Sequence, residues 1–283
     1  MSDILKALED DQISELSEMY KANSDAPPYV RSYLETMRRW KRSGKCFLVS
    51  LWSPNDCWRE DGTFIALMQF GNYDLFMFTL DPKCENLRKG IEETKEINWK
   101  NPTLVFNLHF KHYPYVLEAF RHLNLVANFN RIYDMYFLER DQALKFDLEC
   151  PSDVYLKKLD LSVAPLIDYL YKAHRHRYPD GEKFISTLIE LNGGFGLFSK
   201  QTHDLVAWVM RTCLGQIGFL QTVDGHTRKG YGEYLAKVVS REIAEEGFVP
   251  MGAVFHENSA SLGLFRKLGF QVEGLCYFIE VNK

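Results

Sequence analysis

Gly218-Phe219-Leu220-Gln221-Thr222-Val223-Asp224-Gly225-His226-Thr227-Arg228-Lys229-Gly230-Tyr231-Gly232-Glu233-Tyr234-Leu235 is the stretch that decides the fold. Apolar and β-prone residues fill 217–223 and read as a strand. A polar loop follows, ending in Arg228-Lys229-Gly230-Tyr231-Gly232. Leu235, Val238, Val239 and Ile243 then recur at helical spacing, up to a stop at Gly247. Strand, glycine loop and helix start together make an anion holder. First-turn N–H groups lack intrahelical partners, and the helix dipole places partial positive charge there. Gly230 and Gly232 let a pyrophosphate approach the backbone, and Arg228 and Lys229 add charge beside it. The Gly-Lys-Ser/Thr ending of a nucleoside triphosphate loop is absent. So are the three-glycine spacing and parallel βαβ context of a dinucleotide site. Taken alone, the loop fits a plain tight turn into a helix equally well.

Towards the C-terminus, Val249 to Phe255 reads as a short strand. Asn258-Ser259-Ala260-Ser261-Leu262-Gly263-Leu264-Phe265-Arg266-Lys267-Leu268-Gly269-Phe270 reads as an N-capped helix closed by a glycine. With this second stretch the chain resembles the GNAT superfamily of acyl-CoA N-acyltransferases. That family pairs Arg/Gln-x-x-Gly-x-Gly/Ala at one helix start with Asn-x-x-Ala/Ser-x-x-Leu-Tyr/Phe-x-Lys-Leu-Gly-Phe further on. The second motif matches from Asn258 to Phe270, and the first at Gly230 and Gly232, with Thr227 where Arg or Gln is usual.

Composition agrees with a folded enzyme-sized chain. It has 283 residues, 46% hydrophobic and 14% aromatic, enough for two modest domains. The net charge of −4 argues against nucleic acid as the main partner. The acidic N-terminus has no apolar core of signal length, and no run reaches the roughly 18 apolar residues of a membrane span. Cys46, Cys57, Cys84, Cys150, Cys213 and Cys276 are scattered, with no Cys-x-x-Cys pair. Reduced thiols and a cytoplasmic setting are therefore expected, with a mitochondrial one left open.

Read in order, residues 3–22 carry an amphipathic helix pattern, and Val30 to Trp40 a second. Strands are expected at Cys46 to Trp52, Thr63 to Phe70 and Asp74 to Leu80. A polar helix near 84–95, a strand at Thr103 to Phe106, a helix at Tyr113 to Leu123 and a strand at Arg131 to Leu138 follow. Glu139 to Pro151 is polar without period and reads as a linker. From Leu156 the order begins again, with helices at 163–173 and 181–191 and strands at Gly194 to Ser199, Leu205 to Arg211 and Gln216 to Val223. A last strand is expected near Cys276 to Val281. Leu117-Glu118-Ala119-Phe120-Arg121-His122-Leu123-Asn124 echoes Leu262-Gly263-Leu264-Phe265-Arg266-Lys267-Leu268-Gly269 at an offset of 145 residues. The expected fold is an α/β mixed-sheet GNAT fold in two tandem halves. Residues 1–145 form a degenerate half, and 150–283 the acyl-CoA-binding domain. The offset sets Gly230 and Gly232 opposite Glu85 and Leu87, so the first half lacks the phosphate loop.

Within that superfamily the chain most resembles the glycine N-acyltransferase-like group, through Ile97-Asn98-Trp99-Lys100 and the stretch from Gln216 to Gly230, with Thr222-Val223 just ahead of the loop. The resemblance implies acetyl-CoA or a longer acyl-CoA as co-substrate, no metal, and direct transfer to a small amine. It implies that Leu220, Gln221 and Thr222 bind pantetheine through their backbone. Arg228, Lys229, Gly230, Tyr231, Gly232 and Glu233 would cradle pyrophosphate. Asn258 and Ser261 would lie beside the thioester or pantetheine, and Phe265 would also contact the cofactor. Two departures stand out. Gln216 replaces the group's general-base Glu, and Phe265 replaces a proton-donating Tyr. His226 and His256 lie close to the motifs and read either as proton relays or as packing and surface residues. His174-Arg175-His176-Arg177 reads either as an acceptor-carboxylate clamp or as a solvated basic turn. A peptide N-acetyltransferase and a catalytically weak acyl-CoA binder are the alternatives.

Overall fold

The computed structural model describes residues 2–44, 49–70, 72–171 and 180–282. The chain divides into two compact units, Met1–Asp134 with Gly274–Lys283, and Met135–Glu273.

The first unit opens on a three-residue strand, β1 (Leu5–Ala7), where the spacing of Ile4, Leu5 and Leu8 predicts helix. Tertiary pairing overrides that local preference. β1 pairs with β2 (Val49–Pro54), and the Asp3 carboxylate accepts from Leu5 N at 2.8 Å and Lys95 N at 2.7 Å. Helix α1 (Asp10–Ala22) and helix α2 (Pro28–Ser43) follow. Proline starts α2 without wasting a donor, and Gly44 ends it at φ 64°. A short α3 (Trp58–Asp61), β3 (Phe64–Phe70), β4 (Asn72–Phe78), α4 (Glu85–Glu93), β5 (Thr103–His109), α5 (Tyr113–His122) and β6 (Val126–Phe137) complete the run. The β3–β4 ladder is unbroken from Phe64↔Phe78 to Phe70↔Asn72. β4 then pairs with β5 in parallel, Tyr73↔Thr103 to Leu75↔Val105. β5 is flanked in turn by the chain's last strand, β12 (Gln271–Asn282), antiparallel from Cys276↔His109 to Val281↔Thr103. Leu75, Met77, Val105, Phe120 and Ile279 share one core, and Tyr33, Phe64 and Phe76 pack as a second, aromatic group.

The second unit begins with the tail of β6. The stretch expected as a linker instead holds α6 (Arg140–Leu144). Ala143 is buried there, and the Arg140 guanidinium donates to the Ala244 carbonyl at 3.1 Å. Next come β7 (Val154–Lys158), which periodicity does not show, then α7 (Ala164–Leu170), α8 (Gly181–Asn192), β8 (Gly194–Ser199), β9 (Leu205–Arg211), β10 (Ile217–Thr222), α9 (Tyr231–Glu245), β11 (Met251–Phe255) and α10 (Ser259–Lys267). Strands β10-β9-β8-β7 form one antiparallel sheet. β11 lies outside it, beside the tail of β6, with Leu138 N donating to the Pro250 carbonyl at 2.9 Å. The core packs Leu235, Val239 and Ile243 of α9 against Leu197, Val209, Ile217 and Val254. Burying such a side chain stabilises by roughly 1.5–3 kcal/mol.

The repeat is visible in element bounds. β2 at 49–54 matches β8 at 194–199, and β6 at 126–137 matches β12 at 271–282, each at the 145-residue offset of the helix echo.

Candidate functional site

The decisive stretch forms the edge of a sheet. β10 pairs with β9 at Gly218↔Met210 and resumes at Gln221↔Trp208, so Phe219 and Leu220 face Val209 alone. Phe219 takes φ 52°, a left-handed conformation rare for a bulky residue. Its ring is held 5.3 Å from Tyr171 and 5.9 Å from Phe184, and the Gln221 amide reaches the Leu170 carbonyl at 3.5 Å. β10 and β11 share no ladder. The free edge of β10 therefore presents backbone donors and acceptors to which an extended ligand can add as a strand.

The loop after β10 turns through left-handed residues at Gly225, Arg228 and Gly230, with φ of 84°, 62° and 80°. Turns of this kind gather successive N–H groups towards an anion. Gly230 is the N-cap of α9, and no side chain caps that terminus. A Cβ at Gly230 would meet nothing within 4 Å, so the space before the helix is open. Arg228 and Lys229 are exposed. Lys229 Nζ lies 3.5 Å from Asp153 Oδ2, and the Tyr231 hydroxyl donates to the same oxygen at 2.5 Å. The Tyr231 bond, helped by Lys229, holds the Asp153 carboxyl below its usual range. Burial, together with Asp153, pushes the Tyr231 phenol up to about 12. Asp153 is thus the tether of the loop, and no sequence motif announces it. Glu233 is committed elsewhere. Its carboxylate pairs with Lys267 and Lys237, which lowers its pKa and ties α9 to α10.

Leu264 of α10 lies 4.0 Å from where a Cβ of Gly232 would stand, so the middle of α10 packs against the start of α9. The Asn258 side chain accepts from Ser261 N at 3.1 Å and caps α10. Ser261 is half-buried. Phe265 is buried and lies on Gly252 of β11, where a Cβ would come within 2.6 Å of its ring and 3.4 Å of the Ile217 carbonyl in β10. The Phe265 ring therefore covers the gap between the two unpaired strands.

Gln216 closes the β9–β10 hairpin, its carbonyl accepting from Thr212 N at 2.9 Å. It is 2% exposed, and its Nε2 has no hydrogen-bond partner among the described residues. His226 is half-buried in the loop, and His256 is exposed beyond β11. His174-Arg175-His176-Arg177 and Cys46 lie outside the described residues. Burial raises the Cys57 and Cys84 thiols to about 11 and about 12, which keeps them as unreactive thiols. Among the described residues no group of His, Cys, Asp and Glu is arranged to hold a metal ion, and no helix is long and apolar enough to cross a membrane.

The corresponding terminus in the first unit is already occupied. Asp81 accepts from Lys83 N at 2.9 Å and Glu85 N at 2.8 Å, so a carboxylate of the chain itself answers the start of α4. Glu60, Asp61, Asp81 and Glu85, against Lys83 alone, line the adjoining depression of about 510 Å³, a net negative lining that repels phosphate.

Comparison with known proteins defines the class. An X-ray structure of a Drosophila protein is similar with 21% identity and a TM-score of 0.89, over 99% of this chain and 98% of that one. A tandem GNAT protein from the clavulanic acid biosynthesis pathway is similar with 10% identity and a TM-score of 0.56, over 98% and 96%. A GCN5-related N-acetyltransferase from Sphaerobacter thermophilus is similar with 11% identity and a TM-score of 0.54, over 99% and 95%. The chain has a tandem GNAT fold. Residues 194–279 match the family model described as FR47-like protein, which supports the GNAT superfamily for this chain. Residues 4–119 match a family described as a domain of unknown function (DUF5645). No curated protein matches the chain.

Proposed function

We propose that the second unit binds acyl-CoA and transfers the acyl group to a small amine, such as an amino acid, as the glycine N-acyltransferase-like resemblance implies. One observation carries this reading: a bulged edge strand β10, unpaired on its far side, leads through one loop into an uncapped, glycine-lined start of α9. Anion and extended arm are served by neighbouring stretches of one segment. Arg228, Lys229 and the N–H groups of Gly230, Tyr231 and Gly232 would take the pyrophosphate. The backbone of Leu220, Gln221 and Thr222 would take the pantetheine. N–H groups of the bulge, freed from the ladder, would stabilise the oxyanion that develops when the amine attacks. Gln216 would orient the amine as a hydrogen-bond partner but has no ionisable group. Ser261 and His226 are the further catalytic candidates in this reading. The first unit binds no CoA in this reading. Gln216 and Phe265 favour a second reading, an acyl-CoA binder without turnover.

Thiol release from acetyl-CoA and longer acyl-CoAs, measured against a panel of amines and peptides, separates the two. Acyl transfer to small amines and one CoA per chain by calorimetry are expected. Binding with no turnover across the panel would select the second reading. The variant Gln216→Glu restores a base at the hairpin and should raise turnover at neutral pH by about ten-fold or more, with CoA affinity nearly unchanged. Equal or lower turnover in a folded, CoA-binding variant would mean that the amine loses its proton elsewhere. Wild-type turnover should climb with pH as the free amine fraction grows.

A further inference from the structure

We propose that Tyr136 donates the proton to the leaving thiolate, a role that rests on the acyl-transfer reading above. Tyr136 lies in the tail of β6 that borders β11 in the second unit. It is fully buried, and its hydroxyl has no hydrogen-bond partner among the described residues. A buried hydroxyl left without an acceptor is destabilising, and this one, beside the motif position Phe265, is available to a partner from outside the chain. The Tyr136 ring meets Phe265 edge-on, 5.5 Å between centroids at 61°. Phe265 in turn covers the gap between Ile217 of β10 and Gly252 of β11. Position 265, where the motif leads one to expect a donor, has no hydroxyl. A neighbouring strand brings a phenol into the same aromatic group instead.

The chemistry closes on these groups. The amine nitrogen bonds to the thioester carbonyl carbon, and the carbonyl electrons move to oxygen. When they return, the C–S bond breaks and its electron pair goes to sulfur. The Tyr136 hydroxyl gives its proton to that sulfur, releasing CoA as a thiol. The phenolate recovers a proton from the former amine nitrogen, which leaves a neutral amide.

Two measurements on the full chain test the role. Calorimetric titration compares CoA with desulfo-CoA, which lacks the sulfur. Wild type should prefer CoA by about five-fold, the size of one hydrogen bond, and Tyr136→Phe should bind both alike. Turnover of Tyr136→Phe should fall about 100-fold with acyl-CoA. It should fall far less with an aryl thioester, whose thiolate leaves without a proton. Adding Phe265→Tyr should recover part of the loss. An active wild type with an equally active Tyr136→Phe would overturn this proposal alone. So would a wild type with no preference for CoA over desulfo-CoA, which needs no variant to fold. A wild type that binds CoA and acylates no amine would overturn the acyl-transfer reading and this proposal with it.

Discussion

In the first unit β4 is laddered on both sides, to β3 without a bulge and to β5 in parallel, and Asp74, Leu75, Phe76, Met77 and Phe78 are buried. In the second unit β10 is bulged against β9, unpaired with β11, and half-buried along Gly218–Thr222. The helix that follows each strand repeats the contrast. Asp81 answers the start of α4, whereas nothing from a side chain caps α9. One plan has been finished in two ways. The closed version pairs β4 on both flanks and answers the start of α4 from within. The open version leaves backbone donors and acceptors to be satisfied from outside, which is what a binding cleft is in hydrogen-bond terms.

The closed unit holds itself shut with a clasp that acid should release, and this is the largest effect expected. His112, at the start of α5, donates from Nε2 to the Thr79 carbonyl, just after β4, at 3.1 Å. Burial pushes its imidazole down to about 3, and His109 and Lys111 add to the shift. The unfolded chain binds that proton near pH 6.5, so the contribution is fully present above 6.5 and is lost as pH falls towards 3. Between pH 6.5 and 4 this amounts to about 3 kcal/mol at 1.4 kcal/mol per unit. At the matching offset the open unit has Glu257, exposed, and no such clasp. Thermal unfolding across that range should show a slope in wild type that His112→Gln flattens. An unchanged slope would remove the clasp from the account.

Gly230→Val attacks the open unit. Its Cβ meets nothing in the protein, so the variant should fold, with some cost for a β-branched residue at φ 80°. The side chain would stand in the space kept for phosphate. CoA affinity should fall by about 100-fold, or about 2.7 kcal/mol, with a much smaller change in melting temperature. Titration of a folded variant with wild-type affinity would take the loop out of the site. The smallest effect belongs to Asp81→Ala, which removes the carboxylate at the start of α4. It should cost about 1 kcal/mol in chemical denaturation, the usual worth of such a cap. It should create no second CoA site, because β4 and β5 remain laddered. A second CoA bound by the variant would show that the plug alone separates the two units.

The strands and helices of the open unit were legible because their signals are local. β8 and β9 are short apolar runs bounded by turn residues, and both motif helices carry their caps and glycines in sequence. β1 and β7 were not, since three to five edge residues have no period of their own and exist only by pairing with β2 and β8. The phosphate loop could be read from glycine and charge. The bulge could not, because Phe219 has no preference for the left-handed region and adopts it under the packing of Tyr171 and Phe184. Gln216 was conspicuous as a departure from a motif. Tyr136 was invisible for the opposite reason: it stands 129 positions before Phe265, and only the tertiary fold sets the two rings together.

The last strand of the chain belongs to the first unit, and this orders events in time. β5 can acquire its antiparallel neighbour only after residues 274–282 have been synthesised. Until then Thr103–His109 has an unpaired flank, and an unpaired edge is a template for other chains. Contacts between residues so distant in sequence are also slow to form, because a long loop must close before they reward it. The first unit should therefore complete its fold after the second has been made, the reverse of the usual N-to-C order of vectorial synthesis. A chain stopped at Glu273 should expose β5 and aggregate, and adding residues 274–283 as a separate peptide should suppress that aggregation.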